Sequence, residues 1–112
     1  MTHNELFHAY LRHYAEKNLN AISAMLAEEV HLRDWNLSAF GRLEVLRETA
    51  KNFTEAKTIE INVLAVFESP DMVAGELHIT VDEKLDLYVV DVLTFDRDGK
   101  IAAIRSYKGR GD

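Results

Sequence analysis

The clearest alternation of apolar and polar positions runs from Lys84 to Phe95. Leu85, Leu87, Val89, Asp91, Leu93 and Phe95 fall on one face of an extended strand, with Asp86, Tyr88, Val90, Val92 and Thr94 on the other. The same rhythm predicts strands over 58–67, 72–82 and 101–107, with turns at Ser69-Pro70-Asp71 and Asp96-Arg97-Asp98-Gly99. Ile59, Ile61, Val63, Ala65 and Phe67 share a face of the first, and Val73, Leu77, Ile79 and Val81 share a face of the second. A shorter strand over 30–35 puts Val30, Leu32 and Asp34 on one side and His31, Arg33 and Trp35 on the other.

Helical spacing governs the first half. Thr2 and Glu5 form a capping-box pattern ahead of Phe7, Tyr10, Leu11 and Tyr14, which predicts a helix over 3–16. Ile22, Met25 and Leu26 share a face of a short helix over 21–27, with Asn18 or Asn20 as its cap. Residues 36–41 read as a loop, and Leu43, Leu46, Ala50 and Phe53 mark a third helix over 42–56.

The order is therefore helix, helix, strand, helix and then four strands joined by short turns. This predicts an α+β fold in which a curved antiparallel meander carries the helices on one face. Three helices leave part of a long sheet uncovered, so a pocket between the layers is expected, with Asp34 and Asp91 facing it. The chain reads as a single domain over 1–112 ending in a polar tail, Lys108-Gly109-Arg110-Gly111-Asp112.

Composition narrows the function classes. With 112 residues, 47% of them hydrophobic and 29% charged, the chain can bury a core of its own. It has no Cys, which excludes disulfides and thiolate chemistry. A net charge of -6 with scattered Lys and Arg argues against nucleic acid. No apolar run is long enough to span a membrane and the opening residues lack a signal-peptide pattern, so a soluble cytoplasmic protein is expected. His3, His8, His13, His31 and His78 lack the i, i+4 pairing of a helical zinc site, and no metal centre is expected.

The chemistry concentrates on two carboxylates and a tyrosine. A bare carboxylate buried in an apolar row costs several kcal/mol, so Asp91 must find a partner or keep its proton. A structural reading pairs Asp91 with Arg105, Tyr10 with Asp91, and Asp34 with Arg33, Arg42 or solvent, and it makes Trp35 and Phe40 plain packing. A functional reading turns the same side chains toward a ligand. Both stand at the level of sequence.

The element order resembles the nuclear transport factor 2-like superfamily over about residues 3–108, and within it ketosteroid isomerase and the SnoaL-like polyketide cyclases. The residues that carry this are Tyr10 in Phe7-His8-Ala9-Tyr10-Leu11, Asp34 in His31-Leu32-Arg33-Asp34-Trp35, and Asp91 in Val89-Val90-Asp91-Val92-Leu93 ahead of Phe95-Asp96-Arg97-Asp98-Gly99-Lys100-Ile101. The resemblance implies a cystatin-like cone, a sheet wrapped around three helices. It also implies cofactor-free proton transfer on a small apolar carbonyl compound, by an isomerase or by a lyase or cyclase. Asp34 would be the general base, with Tyr10 and a protonated Asp91 donating to the oxygen that gains charge. Trp35, Phe40, Tyr14 and Leu93 are expected to line the ligand pocket. A homodimer through the outer sheet face bearing Tyr88, Val90 and Val92 is expected as well. The reading from a different class is a non-catalytic ligand-binding or dimerisation domain of the same fold.

Overall fold

The structure, a computed structural model, describes residues 1–109; Arg110, Gly111 and Asp112 of the polar tail lie outside the described residues. Helix α1 (His3–Ala15) opens on the expected capping box, with the Thr2 hydroxyl accepting from the Glu5 backbone and the Glu5 carboxylate accepting from the Thr2 N–H. It buries Phe7, Tyr10 and Leu11, the apolar stripe that its spacing defined. Lys17, at φ 58, turns the chain sharply into α2 (Leu19–Met25), capped by Asn18. This helix starts and ends two residues before its expected position, because Leu26 is drawn into the sheet beside Ile101.

Strand β1 (Leu26–Arg33) is followed by a strand where a loop was expected, β2 (Ser38–Phe40). Three residues are too few to show an alternation, and the hairpin depends instead on Asp34. Its Oδ1 accepts from the backbone N–H groups of Asn36 and Leu37, while its own N–H donates to the Leu37 carbonyl. Gly41, at φ 87, then admits the chain into α3 (Arg42–Glu55).

The strands β3 (Ile59–Glu68), β4 (Met72–Val81), β5 (Leu85–Phe95) and β6 (Ile101–Lys108) form the meander that the alternation defined. The six-stranded sheet has the order β2-β1-β6-β5-β4-β3. It is mixed, not wholly antiparallel as expected: β1 lies parallel to β6, with Leu32 beside Ile104. The intervening α3 and β3–β5 supply the long crossover that a parallel pair requires, and a sequence pattern carries no sign of strand direction.

All three helices lie on the concave face. Phe7, Leu11 and Ile22 pack there on Val73, Leu77, Leu93 and Ile104 in one core cluster. Helix and sheet come close at Gly75, where an added Cβ would stand 2.4 Å from the ring of Phe7. Away from this cluster the helices and the sheet diverge, and the gap between them is the cavity described next. Among the described residues no helix is long and apolar enough to cross a membrane.

Candidate active site

The row parity of β5 sends Leu87, Val89 and Asp91 into a cavity of about 420 Å³ between sheet and helices, a size suited to a small organic molecule. Asp91 lies at its floor, 9% exposed. Ser106 stands opposite it in the β5–β6 register, and the Ser106 hydroxyl donates to Asp91 Oδ1 at 2.6 Å. Burial pushes the Asp91 carboxyl up to about 6; the Ser106 bond works against that rise, and the nearby charge of Asp34 adds to it.

One helical turn of α1 brings Tyr10 and Tyr14 to the same cavity, their rings 6.0 Å apart. Burial drives the Tyr10 hydroxyl well above the ordinary phenol range, with Tyr14 and Asp91 contributing. Burial also raises Tyr14, opposed by a hydrogen bond from Asn52. Both phenols therefore keep their protons at neutral pH and can act as donors. Among the described residues the Tyr10 hydroxyl has no hydrogen-bond partner, whereas the Tyr14 oxygen accepts from Asn52 Nδ2 at 3.0 Å.

Asp34 sits at the rim of the cavity, half-buried, with Trp35 and Asn36 beside it and Glu55 also lining the opening. Its Oδ1 is held by the hairpin N–H groups at 2.7 and 2.9 Å, which fixes the direction of the carboxylate. Among the described residues no lysine, arginine or histidine lines the cavity, and no group of three or more His, Asp or Glu could hold a metal ion. The arrangement offers phenol donors, a carboxyl with a raised pKa and a rim carboxylate around apolar walls.

Tyr10, Tyr14, Asp34, Trp35 and Asp91 all line this cavity, but two expected pocket residues do not. Phe40 is 65% exposed on β2, where its register with His31 turns it to the convex face and stacks it on that imidazole at 4.1 Å. Leu93 shares the row of Asp91 but is fully buried in the helix-covered core beside Val73 and Ile104.

The structural pairings read from sequence are not formed among the described residues. Arg105 pairs with Val92 in the strand register and so points to the convex side, donating to Thr94 Oγ1 at 3.4 Å. Arg42 donates to the Leu26 carbonyl, and the polar partner of Asp91 is Ser106, not Tyr10. Ser106, Asn52 and Glu55 were missed by the sequence reading. Only the Ser106 contact had a usable signal, since a hairpin about the Asp96–Gly99 turn sets residues of β6 across from Asp91.

The fold has many solved counterparts. An NTF2-like protein of unknown function from Cytophaga hutchinsonii is 16% identical and superposes with a TM-score of 0.83, covering 97% of this chain and 91% of that one. A candidate ketosteroid isomerase from Kribbella flavida is 17% identical with a TM-score of 0.85, covering 98% of this chain and 79% of that one. The epoxide hydrolase/cyclase-like enzyme SalBIII of pyran ring formation in the polyether salinomycin is 22% identical with a TM-score of 0.83, covering 96% of this chain and 91% of its own. No curated protein sequence matches the chain. The family model of the SnoaL-like domain matches residues 7–104. The chain belongs to the SnoaL-like family and has the fold of the NTF2-like proteins.

Proposed function

We propose that this protein is a cofactor-free enzyme of the ketosteroid isomerase kind, moving a proton on a small apolar carbonyl compound. The observation that carries this reading is that Tyr10, Tyr14, a buried Asp91 whose carboxyl is pushed up to about 6, and the Asp34 carboxylate all line one largely apolar cavity. Asp34 takes a proton from the carbon beside the carbonyl, the C–H electron pair passes toward the oxygen to give an enolate, and the protonated Asp34 returns the proton to carbon. The oxygen that gains charge receives hydrogen bonds from phenol O–H groups and from the Asp91 carboxyl, in surroundings that favour such bonds by excluding water. A cytoplasmic setting belongs to the same proposal.

Because Asp91 is pushed up to about 6, its donating form is lost as pH rises through that value. Hydrogen–deuterium exchange into a panel of conjugated ketones, followed by NMR in D2O, is expected to be faster at pH 5 than at pH 8 by roughly tenfold or more. Asp34→Asn is expected to remove exchange by roughly a hundredfold to ten-thousandfold. Exchange that is absent throughout the panel, or unaffected by Asp34→Asn, would leave the second reading, a non-catalytic ligand-binding domain.

A homodimer through the convex face is part of the proposal. Phe40, Phe67, Met72, Val90 and Tyr107 are exposed large apolar side chains of this face. The strand registers set Arg33 and Arg105 toward one end of it and Glu60 and Glu76 toward the other. A two-fold axis through the middle would lay each copy's arginines over the other's glutamates. Sedimentation at micromolar concentration is expected to give a dimer that Val90→Glu converts to monomer, and a monomeric wild type would remove the idea.

A further inference from the structure

We propose that Asn52 is a positioning residue that turns Tyr14 into a hydrogen-bond donor facing the cavity, making Tyr14 a direct contact for the ligand's oxygen. A phenol has one proton to give and an oxygen able to accept. Asn52 Nδ2 donates to that oxygen at 3.0 Å, so the proton of Tyr14 cannot serve this bond. Among the described residues no group accepts from Tyr14. Its hydroxyl is held in the protonated form by burial, and the side chain lines the cavity. The proton is thus left for a ligand.

Helix α3 fixes the phenol at two points. Phe53 meets the ring of Tyr14 edge-on, with centroids 4.9 Å apart and planes at 75°, and the neighbouring Asn52 holds its oxygen. Receiving one hydrogen bond polarises an O–H group and strengthens the bond it gives. Tyr10, one turn earlier on α1, lines the same cavity and its hydroxyl has no hydrogen-bond partner among the described residues, so the two phenols offer a pair of donors for one acceptor. In this arrangement Tyr14, which the family resemblance placed only as a lining residue, shares the role given to Tyr10. The claim about the ligand rests on the carbonyl-compound reading above, while the claim about Asn52 and Tyr14 does not.

Asn52 is exposed on its outer side, so Asn52→Ala should fold. Two measurements test the inference. In the ligand-free protein, carbon-13 NMR of labelled tyrosine rings is expected to show the Tyr14 pKa rise in Asn52→Ala, because the bond from Asn52 favours the phenolate. A fall would mean that the Asn52 carbonyl accepts the Tyr14 proton, and it would overturn the inference.

With 1-indanone as the probe, infrared spectroscopy reads the bound carbonyl stretch. Wild type is expected to shift it to lower frequency. Tyr14→Phe and Asn52→Ala are each expected to return part of the shift and to weaken binding roughly threefold to tenfold. In the Tyr14→Phe background Asn52→Ala is expected to add nothing, since it acts through the phenol; additive losses would overturn the positioning role. Failure of the ketone to bind, or an unshifted carbonyl in wild type, would overturn the carbonyl-compound reading and Tyr14's contact with it, while the titration would still decide how Asn52 and Tyr14 are bonded.

Discussion

Asp91→Asn is expected to make the protein more stable at pH 7.5, by about 2–3 kcal/mol. In the folded chain the Asp91 carboxyl is raised to about 6 from a reference value of 3.8. Between those values the folded state binds more protons than the unfolded state, so the wild type loses stability as pH rises from about 4 to about 6 and does not recover it above. The amide carries no charge to desolvate. Its oxygen still accepts from Ser106, whose 2.6 Å bond is the one polar contact recorded for the carboxylate among the described residues. Urea unfolding of both proteins at pH 4.5 and 7.5 separates this effect from titrations that they share. The gap between variant and wild type should be wide at the higher pH and small at the lower. Equal stability at pH 7.5 would mean that Asp91 ionises at no cost, and the donor role of its proton would fall with it. A stabilised variant with impaired turnover would mark Asp91 as a residue kept for chemistry at the expense of the fold.

Gly75→Ala is expected to cost about 3 kcal/mol or more. A Cβ there would lie 2.4 Å from Cζ and 2.7 Å from Cε2 of Phe7, closer than non-bonded carbons ever come. Phe7 cannot yield easily, being fully buried in the main core cluster. The remaining escape is a shift of α1, and Tyr10 and Tyr14 travel with that helix. Gly75 also stands directly opposite Asp91 in the β4–β5 register, so the strain is delivered to both sides of the cavity floor. Chemical denaturation should therefore show the loss of stability, and ligand binding should fall with it. Phe7→Leu in the same chain should recover part of the deficit, giving a strongly non-additive pair. A Gly75→Ala protein within 0.5 kcal/mol of wild type would show that α1 tolerates displacement.

The parts legible in the sequence were those written as a period. The stripe Phe7, Tyr10, Leu11 marked α1. The spacing of Leu43, Leu46, Ala50 and Phe53 marked the bounds of α3 but not its inner face, since Leu43 is exposed and Val45 and Thr49 are the buried residues. The two-residue rhythm of β5 placed Asp91 on the inner face. Family resemblance then singled out Tyr10, Asp34 and Asp91, which do meet at one cavity. Depth was another matter. Parity puts Leu93 and Asp91 on the same face, but only the helix packed above decides that Leu93 is core and Asp91 is floor. Phe40 was misplaced because β2 draws its register from β1, not from any pattern of its own. The parallel join of β1 to β6 and the reach of Asn52 to Tyr14 are relations between distant segments, and neither leaves a local trace.

That parallel join also governs when the site can exist. Closing most of the chain into one loop is entropically costly and slow compared with forming the hairpins of β3, β4 and β5, so the pairing of Leu32 with Ile104 is placed late in folding. Asp34 ends the strand that waits for this step, and Ser106, the partner of Asp91, rides on the strand that completes it. Ser106 meets Asp91 within the local β5–β6 hairpin, so the floor carboxylate draws its hydrogen bond from short-range pairing, and the closing event is what brings the rim carboxylate toward it. A chain that has formed only its hairpins can hold the floor carboxylate and its hydrogen bond, yet it lacks the rim carboxylate, so the two carboxylates share one cavity only once the parallel join is made.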